Sequence, residues 1–239
     1  MIAAAFVFAA AALPLAGTTV AVDPGHNGAN GAHPAQINRL VPAGRGGFRK
    51  ACDTTGAQTN DGRLTEPRFT LDVAQRLQRR LEALGARVVM TRRTNDGVGP
   101  CVNERAAIGN RARADLALSI HADGGPPGGR GFHVIAPLAR RAVAPAIVAP
   151  SLRFARILRA RLGAIGLPRS TYVGGGTGLV TRDDLGGLNL SRVPKAFVEL
   201  GNMRNGADAR LLERPAHRDR IAQALTRAIR RAIAPLGPR

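Results

Sequence analysis

The chain has 239 residues, 44% hydrophobic and 21% charged, with a mean hydropathy of -0.07, enough to bury a core and incompatible with a largely disordered protein. Aromatic residues are scarce at 3%, with no Trp and one Tyr, which argues against recognition by stacking bases or sugars on many rings. The net charge of +19 is almost all arginine, since Lys50 and Lys195 are the only lysines; it reads equally as a polyanion-binding surface or as a coding bias, and no nucleic-acid partner is expected.

Met1 to Ala16 (MIAAAFVFAAAALPLA) is nearly all apolar and ends in Pro and small residues, as a secretory leader does, although no basic residue precedes Arg39. Residues 1–17 are expected to be a signal peptide, with a buried strand or helix as the alternative, and 18–239 a single domain. The run is too short for a confident membrane span and Pro14 breaks it, so no integral span is expected and the location is secreted or periplasmic. Export suits the two cysteines, Cys52 and Cys101, which are expected to form one bridge; two free thiols are the alternative.

Thr18 to Asp23 (TTVAVD) alternates like a strand and meets Pro-Gly, which places His26 at its carboxyl end. From Asn27 to Leu64 runs a long Gly/Asn/Pro-rich stretch without periodicity, expected to be a functional loop pinned by Cys52. Phe69, Val73, Ala74, Leu77, Leu81 and Leu84 recur at helical spacing, with Glu66-Pro67 opening the helix and Gly85 closing it. Strands follow at 86–91 and 115–120, separated by a helix over 102–113; the second delivers His121. A strand at 131–136, an amphipathic helix through Leu152 to Leu162, a late strand at 196–200 broken by Glu199, and closing helices over 207–234 complete the chain. The order predicts an α/β domain with a mainly parallel, twisted sheet of about six strands flanked by helices. In such sheets ligands bind outside the carboxyl ends of the strands.

His26 and His121 both terminate predicted parallel strands. With Glu66 at a helix start they supply the two imidazoles and one carboxylate of a catalytic zinc site. Separations of about 40 and 55 residues give no local spacing signal, so the pattern alone is weak. Glu199 is a carboxylate in an apolar strand, costly unless paired with an Arg or used in chemistry. Asp23 and Asn27 flank the first histidine and are candidates to orient its ring, with turn chemistry beside Pro24 the alternative for Asp23. His33 reads as a solvated loop residue, and His133 (on a strand) and His217 (on a surface helix) are given no role. Neither a serine triad nor a P-loop is present, and the Gly174–Gly178 run reads as a flexible turn.

Four segments in order, VAVDPGHNG (20–28), TEPRFTLDVAQRLQRRLEALGARVVMTRRTND (65–96), NERAAIGNRARADLALSIHADG (103–124) and PKAFVELGNMRNGADARLL (194–212), resemble the Amidase_3 type of zinc-dependent N-acetylmuramoyl-L-alanine amidase. The resemblance implies that His26, Glu66 and His121 bind zinc and that Glu199 is catalytic. It also implies the substrate: peptidoglycan fragments (muramyl peptides), cut between N-acetylmuramic acid and L-alanine of the stem peptide. Inhibited relatives carry an inserted helix whose Glu occupies the metal site. Here no Glu lies between Glu104 and Glu199, so activity without a protein activator is expected, with Asp183 and Asp184 the only plausible plugs. A monomer is expected. Two rival readings stay open: a non-catalytic binder of anionic wall polymers, and a zinc peptidase cutting within the stem peptide.

Overall fold

The computed structural model describes residues 13–234. In chain order these form β1 (Thr19–Pro24), α1 (Pro34–Ile37), β2 (Leu40–Pro42), β3 (Arg49–Ala51), α2 (Glu66–Glu82), β4 (Arg87–Met90), α3 (Val102–Arg111), β5 (Leu116–Asp123), β6 (His133–Pro137), α4 (Val148–Gly163), β7 (Leu179–Arg182), α5 (Gly186–Asn189), β8 (Lys195–Asn202), α6 (Gly206–Leu212) and α7 (Pro215–Ile233). Six strands make one sheet in the order β4-β1-β5-β8-β6-β7, and β2 and β3 form a separate antiparallel hairpin. β4, β1, β5 and β8 run parallel; β6 pairs antiparallel to β8 and parallel to β7. The expected α/β domain with a mainly parallel sheet is what the chain forms.

One face of the sheet is apolar. Val20, Val22, Leu118, Ile120, Val134, Val198 and Leu200 meet α2, α4 and α7 there, through Phe69, Val73, Leu77, Phe154, Leu158, Leu225 and Ile229, all buried. At roughly 1.5–3 kcal/mol per buried large side chain, this layer is the main source of stability. The other face carries small and polar side chains: Ala21 and Ala117 in a small apolar cluster, then Asp23, Ser119, His121, Lys195, Phe197 and Glu199. It is covered by the short elements α3 and α5 and by the β2–β3 hairpin, a thinner layer that leaves room for a cavity.

Several expectations need correction. The long stretch after β1 is not structureless, for it holds α1 and the hairpin, whose strands of only three residues carry no readable alternation. Gly174–Gly178 makes a turn as expected, but it leads into β7, a four-residue, half-exposed strand that the sequence does not announce. His217 is not on a solvated surface but is 8% exposed in the first turn of α7. The bridge is present, joining Cys52 to Cys101. Of the expected leader, residues 1–12 lie outside the described residues. Leu15 packs in the core, its N–H donating to Leu84 O at 2.8 Å. No described helix is long and apolar enough to cross a membrane.

Candidate metal centre and active site

His26, Glu66 and His121 come from three different elements and meet at the carboxyl edge of the parallel strands. One ligand atom from each lies within 4.8 Å of the others. His26 stands two residues beyond β1 with φ +54, a left-handed conformation uncommon outside glycine. Glu66 is the first residue of α2, and His121 lies within β5. Arg92, 7% exposed, clamps the first two elements together by donating to Pro24 O, Gly25 O and Pro67 O.

The environment fixes which atoms are available. His26 Nδ1 faces Asp53 Oδ1 at 2.9 Å and Thr54 O at 3.1 Å, both acceptors, so that nitrogen is held as a donor and Nε2 is the atom left to bind a metal once its proton is displaced. Nε2 lies 3.4 Å from Glu66 Oε1. Glu66 Oε1 is also 2.8 Å from His121 Nδ1 and accepts from Ala122 N–H at 3.2 Å, while Oε2 accepts from Ala57 N–H at 2.7 Å. The His121 ring stacks on Phe197 with centroids 4.0 Å apart. Two glycines make the space: a Cβ at Gly25 would fall 2.2 Å from His121 Cε1, and one at Gly56 would fall 2.8 Å from His26 Cδ2 and 2.9 Å from Glu66 Oε2.

The electrostatics favour a cation. Burial opposes charge on His26, but the Glu66 carboxylate and hydrogen bonds to Asp53 and Glu66 outweigh it and raise its pKa to about 10. Burial likewise opposes ionisation of Glu66, yet His26 and hydrogen bonding to both rings bring its pKa down. Burial lowers the pKa of His121. Two imidazoles around one ionised carboxylate, with an anchored Asp behind the first ring, are a donor set that fits zinc, and a metal would replace protons there.

Glu199 is the register partner of His121 on the neighbouring strand, so both project from the polar face of the sheet. Burial, then the charges of Glu66 and Asp123, push its carboxyl well above the usual range. With His26, His121 and Phe197 it lines a cavity of about 250 Å³ that runs along the sheet face to Asp23 and Ser119 and under Leu185–Leu188. A larger cavity of about 460 Å³ lies at the opposite end of the strands, among Arg113, Arg153 and Arg192, and lacks a cluster of metal donors.

A sequence profile for N-acetylmuramoyl-L-alanine amidase matches residues 20–231. The chain belongs to that family. This amidase is 45% identical over 227 residues to an N-acetylmuramoyl-L-alanine amidase of Mycobacterium tuberculosis, covering 93% of this chain and 89% of the relative. Its fold is similar to the crystal structure of the N-acetylmuramyl-L-alanine amidase of Mycobacterium smegmatis, with a TM-score of 0.85 at 44% identity over 92% of this chain and 99% of the other. A germination-specific N-acetylmuramoyl-L-alanine amidase of Bacillus subtilis is 25% identical over 238 residues, covering 92% of this chain and 81% of that one.

The residues around the amidase site differ from those the sequence suggested. Asp23 does not touch the His26 ring; it accepts from Thr91, Ser119, Arg105 and Lys195, all buried. Asn27 donates to Gly99 O at 2.9 Å. The orienting carboxylate is Asp53, and Arg105 ties it in by donating to Asp53 Oδ2, Asp23 Oδ1, Pro24 O and His26 O. No spacing rule marks Asp53 or Arg105, although Asp53 directly follows Cys52. His33 lies in the loop outside the cluster.

Proposed function

We propose that this amidase is an exported zinc hydrolase of peptidoglycan that cleaves the amide between N-acetylmuramic acid and L-alanine of the stem peptide. His26, Glu66 and His121 are its metal ligands and Glu199 its general base and acid. The observation that carries this reading is the convergence of those three donor groups beside Glu199 at one sheet edge. A bound zinc would polarise the scissile carbonyl and bring the pKa of coordinated water towards about 7.

The chain supplies the rest. Of the carboxylates that line the cavity, Asp23 and Asp53 are engaged by Arg105, whereas Glu199 is held by no cation and is placed to take a proton from attacking water and return it to the leaving nitrogen. Phe197 and Leu188 give the cavity apolar walls that exclude bulk water. All four functional groups come from one chain, so a single copy holds a complete site and a monomer suffices as the working unit. The Cys52–Cys101 bridge supports an oxidising, extracytoplasmic compartment.

Mass spectrometry of peptidoglycan fragments incubated with the protein, with and without chelator, tests the reading. The expected products are intact stem peptides with a free L-alanine amino group and sugars ending in the lactyl carboxylate. They should vanish with chelator and return with zinc. Peptides cut internally would instead mark a stem peptidase, and unchanged fragments a binder.

A further inference from the structure

Two buried polar atoms beside the site lack any partner: Glu199 Oε2 and His133 Nδ1. They belong to neighbouring strands, and the antiparallel register of β6 on β8 sets His133 directly opposite Glu199. Directly opposed residues project from the same face with Cβ atoms about 4.5–5.5 Å apart, within reach of each other's side chains. Unpaired buried polar atoms are rare because each forfeits roughly 1–3 kcal/mol, so two of complementary kind on facing residues call for an explanation.

Their surroundings differ in a way that suggests distinct roles. Glu199 lines the cavity, whereas His133 is 2% exposed and does not, so the imidazole is out of the path of substrate. The His133 ring packs against Tyr172, edge to face at 6.2 Å. Tyr172 is held in turn: its hydroxyl donates to Asp123 Oδ2 at 3.0 Å, and its ring lies where a Cβ at Gly125 or Gly129 would fall within 2.6 Å. The Glu199 side chain has no ion pair among the described residues, and its Oε2 has no hydrogen-bond partner to set the direction of the carboxylate.

We propose that His133 is a positioning residue for Glu199, its Nδ1–H donating to Oε2 during turnover so that the other oxygen is aimed at the attacking water. Burial, only partly offset by the charge of Asp123, lowers the pKa of His133 to about 4, which keeps the ring neutral with one N–H to give. The inference rests on the base role given to Glu199. It adds a residue that touches neither metal nor substrate.

The test compares H133L, H133N and H133Q, alone and with E199Q, in the zinc-loaded full chain. Asn carries an amide near the place of Nδ1, whereas Gln reaches towards that of Nε2. H133L should lower kcat on the order of 10-fold or more with KM and zinc content unchanged, since misplacing a reacting group acts on the chemical step. H133N should recover most of the rate and H133Q little of it. In the E199Q background H133L should cause no further loss, because a residue acting through Glu199 has nothing left to position. Full activity in H133L, equal rates in the Asn and Gln variants, or a loss that multiplies that of E199Q would each overturn the proposal. The Asn and Gln arms decide the matter even if H133L does not fold. An E199Q enzyme as active as wild type would overturn the base role itself and this inference with it. An inactive E199Q beside a fully active H133L counts against His133 alone.

Discussion

Asp53 Oδ1 lies 2.9 Å from His26 Nδ1, and Asp53 directly follows Cys52, which is bonded to Cys101 across 49 residues of chain. The orienting carboxylate is thus anchored covalently next door and by Arg105, whose guanidinium donates to Asp53 Oδ2 at 3.0 Å. Burial opposes ionisation of Asp53, but the hydrogen bond to His26 and the charge of Arg105 hold its carboxyl below the ordinary range. D53A should therefore weaken zinc binding by about 10–100-fold, the usual cost of losing an outer partner of a ligating histidine, and should also lower stability, because buried Arg105 loses one of its two carboxylates. Replacing both cysteines with serine should lower stability by up to about 4 kcal/mol in the chain-entropy model and weaken zinc binding as well. Competition against a chelating dye reads the affinity; D53A with wild-type affinity would remove Asp53 from the site.

Gly25 offers a sharper steric test. A Cβ there would sit 2.2 Å from Cε1 and 2.5 Å from both nitrogens of His121, far inside van der Waals contact. The ring cannot retreat freely, because it stacks on Phe197. G25A should therefore lose bound zinc and nearly all activity while circular dichroism stays native, since the clash is confined to the ligand. Zinc retained at one equivalent would show that His121 can be displaced without cost to the site.

The parts of this architecture that the sequence reveals are those with long, regular periods. α2 has Pro67 in its first turn, its buried Phe69 to Leu81 stripe and Gly85 at φ +90, so its limits and hence the place of Glu66 can be read directly. His26, His121 and Glu199 were legible because each ends or interrupts an apolar strand. β2, β3 and β7 are three or four residues long and mostly exposed on one side, too short for a period to emerge. The reversed direction of β6 and β7 depends on connections that permit either sense. Arg92 and Arg105 are buried clamps, but in a chain whose basic residues are almost all arginine nothing local separates them from solvated neighbours. Asp53 is hidden in the sequence for a related reason: its contact with His26 spans 27 residues of mostly irregular chain.

Glu199→Gln isolates the proton-transfer role. The amide is nearly isosteric, the carboxylate is in no ion pair among the described residues and its Oε2 has no hydrogen-bond partner, so folding and zinc content should not change. The rate should fall by about 10²–10⁴-fold, the span attributed to general acid-base catalysis. The drop should sit in kcat, with KM close to wild type. Wild-type turnover in E199Q would exclude it as base and acid.

Acid stability should depend on Asp23. Burial alone would raise its pKa, but the charges of Lys195 and Arg105, with hydrogen bonds from Ser119 and Arg105, bring it well below the ordinary value. A group with a depressed folded pKa stabilises the fold above its unfolded pKa of about 3.9, and that contribution is lost as pH falls through the folded value. D23N leaves Lys195 and Arg105 buried without their shared partner, a change that costs about 3–5 kcal/mol in comparable buried pairs. The stability gap between wild type and D23N should therefore be constant from about pH 5 to 7 and begin to close below about 4. Urea titrations of both proteins across that range measure it; a gap unchanged down to the lowest pH at which both fold would mean that Asp23 is not the titrating group.

The isolated domain should be active on soluble muramyl peptides without a protein activator. A plug must bring an acidic side chain to the metal ligands, and the two carboxylates that could swing from the α5 side are engaged elsewhere. Asp183 pairs with Arg140 and lies 3.7 Å from Arg141, and Asp184 pairs with Arg182 at 2.6 Å. Their backbone is held too, by Asn189 Nδ2 donating to Asp183 O at 2.8 Å and Lys50 Nζ to Asp184 O at 2.8 Å. Between β6 and α4 the only helical element is the three-residue 3-10 helix Pro145–Ile147, and residues 138–147 contain no acidic side chain. Nothing in that segment can fill a ligand position as an inserted helix would. Steady-state hydrolysis by the purified protein, beside a D183N/D184N variant, is the measurement. The two should turn over at similar rates; a wild-type protein that is inert until those aspartates are replaced would establish autoinhibition instead.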